Sequence, residues 1–146
     1  VAAAAGVSRA LVHAYLGDRR GLIDAVQVRV IGRLDTWVGH GLRRAEGRGR
    51  EAVLAALVHG LLAFVAAEQD GWGVLSATGG LDHPALHGLR ARWARALSMD
   101  DDRAEGDVAA QAAVGALLVG AGTWVNRGVE ADELIVALRP LLHGQR

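Results

Sequence analysis

Five side chains near the amino terminus have types and spacing suited to gripping a polar, negatively charged surface: Ser8, Arg9, His13, Tyr15 and Arg19. Arg9 and His13 stand four apart and share one face of a helix. The guanidinium fork of Arg9 can pair with two acceptors at once, as guanine O6 and N7 present them. Tyr15 and Arg19 are placed for phosphate contacts, which fix register and bring salt dependence. Ala10, Leu11 and Ala14 lie among them and offer apolar contact, for example to a thymine methyl group.

These residues need a short helix held between two turns. Gly6 can take the left-handed conformation that stops a preceding helix. Ser8 can cap the next helix, which covers barely two turns from Arg9 to Leu16. Gly17-Asp18 breaks that helix, with Asp18 set to cap the long helix after it. A helix so short is not stable alone and must be braced by neighbours. Two helices joined by a tight turn containing glycine is the helix-turn-helix plan. The chain opens at Val1 inside a helical pattern and without Met, so a bracing helix upstream is expected to be missing.

The charge distribution agrees with this placement. Residues 1–50 hold 9 Arg against 4 acidic residues, a balance of +5, while residues 51–146 hold 7 Arg against 12, a balance of −5. A net charge of zero therefore conceals a basic amino-terminal third, a recognised pointer to nucleic acid at the basic end. The 146 residues suffice for one real core, and 51% hydrophobic content excludes a disordered chain. The absence of Cys excludes disulfides and thiolate chemistry. No secretory signal pattern opens the chain, so a cytoplasmic location is the expectation.

Downstream, Leu22, Ile23, Val26, Val30, Leu34, Trp37 and Val38 recur at three- and four-residue steps and predict a long amphipathic helix from Arg19 to about Arg44. Residues 51–68 predict a second helix, apolar all round except at His59 and Gly60. At under 20 residues it suits a central core helix better than a membrane span. Asp70-Gly71-Trp72-Gly73 predicts a turn, with one helical turn over 74–78. A helix is expected from Pro84 to near Ser98, then an acidic loop over 100–107. A helix of small residues over 108–127 and a final helix over 130–143 complete an all-α chain of eight helices.

The opening stretch resembles the helix-turn-helix of the tetracycline-repressor-type (TetR) transcriptional regulators. The family runs roughly Ala-Gly-Val-Ser, then a recognition helix with Leu-Tyr-x-Tyr/His-Phe, then Ser-Lys-Glu and an apolar pair. This chain reads Ala5-Gly6-Val7-Ser8, then Val12-His13-Ala14-Tyr15-Leu16, then Asp18-Arg19-Arg20, then Leu22-Ile23, without a gap. Two positions depart from the pattern: His13 stands for the usual first Tyr, and Arg19 for the usual Lys. The match covers about 23 residues; beyond it only the architecture is similar. The resemblance implies a partial DNA-binding module over residues 1–20 and a helical ligand-binding and dimerisation domain over residues 21–146. It also implies a homodimer on a palindromic operator.

The later helices supply candidate sites for both remaining roles. Trp37, His59, Phe64, Trp72, Trp93, Met99 and Trp124 are candidate walls of an apolar pocket, with His59 able to orient a ligand. Gly115, Gly120, Gly122, Leu134, Leu138 and Leu141 are candidate dimer contacts, since small residues let helices approach closely and Trp124 can act as an anchor. His83 and His87 have a spacing that can seat Zn²⁺. With no Cys and with Pro84 between them, a surface pair is expected and no metal. Ser8, Ser76 and Ser98 lack a nucleophile elbow, and no glycine-rich loop follows a strand. Neither an enzyme nor a cofactor is expected. The sequence thus predicts a ligand-responsive regulator, a repressor released from DNA by a small apolar effector. The competing expectation is an all-α dimeric ligand-binding module without DNA contact. No membrane partner is expected.

Overall fold

In the computed structural model, residues 9–10, 18–99 and 103–143 are described. Among them the fold is all-α. The helices are α1 (Arg19–Ala45), α2 (Arg50–Ala67), α3 (Gln69–Ala77), α4 (Pro84–Ser98), α5 (Ala104–Asn126) and α6 (Ala131–His143). A 3₁₀ turn, Gly80–Asp82, joins α3 to α4.

Helix α2 is the centre. It packs against all five other helices. Its buried side chains, from Val53 and Leu54 through Leu57, Val58, Leu61 and Leu62 to Phe64 and Val65, cover most of its circumference and leave one solvent stripe through His59, Ala63 and Ala66. A helix this apolar needs partners on most of its faces. By length and hydropathy α2 and α5 also suffice to cross a membrane, a weak sign that core helices share. Gly60 brings α1 within reach: a Cβ there would lie 3.2 Å from the Cα of Val38.

Helix α1 starts as the sequence expects. Asp18 is extended, and its side chain accepts a hydrogen bond from the Gly21 N–H at 2.9 Å. The helix runs for 27 residues. The 20/21 domain boundary therefore falls inside its first turn.

Two readings of the sequence are corrected. The predicted turn at residues 70–73 is part of α3. Burial of Trp72 and Leu75 outweighs the modest helix cost of Gly71 and Gly73. The residues 103–107 expected in a loop belong mostly to α5, which begins at Ala104. Glu105 and Asp107 lie in its first turn, where negative charge meets the positive end of the helix dipole. Gly128, at φ +69°, ends α5 as expected.

Candidate functional site

Of the residues expected to meet DNA, Arg9 and Ala10 are helical and exposed, and Arg19 is exposed at the start of α1. Ser8, Leu11, His13, Ala14 and Tyr15 lie outside the described residues.

The amino-terminal part of α1 is attached in an unusual way. The helix buries Val30, Ile31, Leu34 and Val38, yet before Val30 its one buried residue is Gln27. Leu22 and Val26 remain exposed. What ties this part to the body is polar. Gln27 Nε2 donates to the Thr78 carbonyl at 3.0 Å and to Thr78 Oγ1 at 2.9 Å. Three residues earlier, Asp24 Oδ1 lies 2.8 Å from His83 Nε2. His83 Nδ1 accepts from the Ala85 N–H at 3.1 Å and so caps α4. In neutral His83 the proton must then sit on Nε2, which donates to Asp24. Both ring nitrogens of His83 are thus engaged, in place of the surface pair with His87 that the spacing suggested. These bonds join the start of α1 to the α3–α4 connection and to nothing else among the described residues.

The seven pocket candidates are not brought together. Phe64, Trp72 and Trp93 are core residues, and Trp124 is half-buried against the core. Trp37 is 43% exposed, with its ring edge-on to Phe64 at 6.0 Å. His59 is on the surface, its Nε2 3.5 Å from Asp132 Oδ1. An apolar helix sequence does not show that one position in each turn can face out between two neighbours. Met99 is 77% exposed. It alone of the seven lines a described cavity, a space of about 400 Å³ at the turn between α1 and α2.

The dimer candidates are divided as well. Leu134 and Leu138 are buried inside the protomer. Gly115 faces Arg90 and Gly122 faces the Trp72 indole, so these glycines serve packing within the chain. Gly120 lies under the Trp124 ring of its own helix. Leu141 is exposed, as are Val108 at 67%, Val119 at 76% and Val136 at 62% on α5 and α6. On α5 the signal is legible, since Val108 and Val119 lie on the side opposite its buried set.

Sequence reasoning missed Arg50. It donates through Nε to the Leu97 carbonyl at 2.8 Å and through Nη1 to the Leu142 carbonyl at 2.6 Å. One guanidinium therefore binds the carboxyl ends of α4 and α6, where free carbonyls and the negative end of each dipole favour a cation.

The fold defines an all-α protein packed around one central helix, with a polar-tethered amino-terminal helix. No family model, no curated protein and no solved structure matches the chain.

Proposed function

We propose that the chain is the main part of a ligand-responsive, DNA-binding transcriptional regulator. It acts as a homodimeric repressor that a small apolar effector releases from a palindromic operator. The observation that carries this reading is the form of α1. It begins on the Asp18 cap directly after the Arg9 segment and runs 27 residues into the core, with only Gln27 buried before Val30. A rod anchored at one end and tethered by polar bonds at the other can tilt without breaking the core. Effector binding that displaces the α3–α4 connection would break the Gln27–Thr78 and Asp24–His83 contacts and re-aim the recognition segment. The effector must bind one of the two arrangements better for this to operate. Val108 and Val119, which share one exposed face of α5, supply apolar contact for the second protomer.

The charge split and the resemblance of residues 5–23 support the DNA partner. The exposed valines and the cavity, which need none of the first 17 residues, support the second reading, a dimeric ligand-binding module.

The two readings separate in a binding titration on duplex DNA. Arg9→Ala is expected to relax preference at one base position by about 1–3 kcal/mol. Arg19→Ala is expected to weaken all duplexes alike and to lower the salt slope by roughly one unit. The reverse pattern overturns the role assignment, and indifference of both variants favours the module without DNA contact.

A further inference from the structure

The cavity at the α1–α2 turn holds only Met99 of the expected pocket walls. Leu42 of α1, Val53 of α2, and Ala96 and Met99 at the end of α4 form apolar walls. Its volume of about 400 Å³ falls in the range of small-molecule sites. Arg43 and Arg50 line its rim, with Glu46 the one acid among the described lining residues; Arg50 is already held by the Leu97 and Leu142 carbonyls. Arg43 is exposed and makes no ion pair among the described residues. Its guanidinium lies back toward Gly39. The turn has open space at the Cβ positions of Gly47 (φ +72°) and Gly49 (φ +91°), both in conformations that favour glycine. Gly49 gives α2 no side-chain cap.

An apolar slot with the Arg43 guanidinium at its mouth matches a ligand with an apolar tail and an acceptor head. We infer that this cavity binds a small amphipathic carboxylate, the tail against Leu42, Val53, Ala96 and Met99 and the head at Arg43. The site is separate from the tether of α1 and does not depend on DNA recognition. The choice between an anionic and a cationic head tests the assignment directly.

Met99 is the only methionine of the chain, so a ¹³C-methyl-methionine label reports on this wall alone. The probes are octanoate, octan-1-ol and octylamine, titrated into the whole chain. Octanoate is expected to shift the Met99 methyl signal saturably. The alcohol and the amine are expected to bind at least about tenfold more weakly, the size of effect one charge-assisted contact supplies. Arg43→Glu should weaken octanoate by a similar factor and lower the thermal midpoint by only about 2–4 °C, the effect of a reversed charge in the last turn of α1, and Arg43→Lys should restore most of both. No saturable shift with octanoate overturns the site. Equal or tighter binding of octylamine overturns the carboxylate assignment, as does octanoate binding indifferent to Arg43→Glu.

Discussion

Replacing Arg50 by Met is expected to destabilise the fold by about 2–3 kcal/mol, lowering the thermal midpoint by roughly 5–10 °C. Met keeps the apolar stem but removes the hydrogen bonds to Leu97 and Leu142. Each is a charge-assisted bond to a helix-terminal carbonyl, worth about 1.5–3 kcal/mol in a partly buried setting. The expected loss sits below twice that value because water can reach the freed carbonyls through the adjoining cavities. Arg50→Lys should recover only part of the loss, because one ammonium cannot span both carbonyls as the fork does. A midpoint within about 1 °C of the parent would mean that apolar packing alone holds the ends of α4 and α6.

The second large effect is expected at the α1–α2 crossing. Gly60→Leu should cost about 3 kcal/mol, seen as a lower urea midpoint at an unchanged slope. A Cβ at residue 60 would meet the Val38 Cα at 3.2 Å and its Cγ2 at 3.3 Å, both tighter than ordinary contact. The Cα belongs to the facing backbone and cannot rotate away, so the three further carbons of Leu must push the helices apart. Gly60→Ala should come out near neutral. Its gain of about 1 kcal/mol in helix propensity offsets the tight Cβ contact. A Leu variant as stable as the parent would show that α1 is not held against α2 at this point, and the anchored rod of α1 would lose its fixed end.

Much of this architecture is legible in the residues, and the exceptions have physical causes. Asp18 reveals the start of α1 because capping is a local interaction three residues long. The central place of α2 is legible because only a surrounded helix can bury eight large apolar side chains. By contrast, α3 is hidden by Gly71 and Gly73, whose local preference yields to the distant partners of Trp72 and Leu75. The glycines of α5 announce a close approach but not its direction. Gly115 and Gly122 turn inward, to Arg90 and the Trp72 indole. The candidate site is less legible still. Arg50 reads as a loop residue in Gly49-Arg50-Glu51, while its partners lie 47 and 92 residues away. The Gln27–Thr78 tether spans 51 residues, and nothing in the helix pattern of α1 marks Gln27 as its anchor.

The central claim is that the Arg9 segment reads DNA and that α1 carries it. The most direct measurement is selection of duplexes from a random library by the chain extended with an amino-terminal bracing helix, with the selected sequence then titrated against salt. Enrichment of a palindrome is expected. The affinity should fall steeply and log-linearly with salt concentration, and Arg9→Ala should lose preference at one position per half-site. Recovery of no enriched sequence at low salt, with the extended chain folded, would contradict the claim.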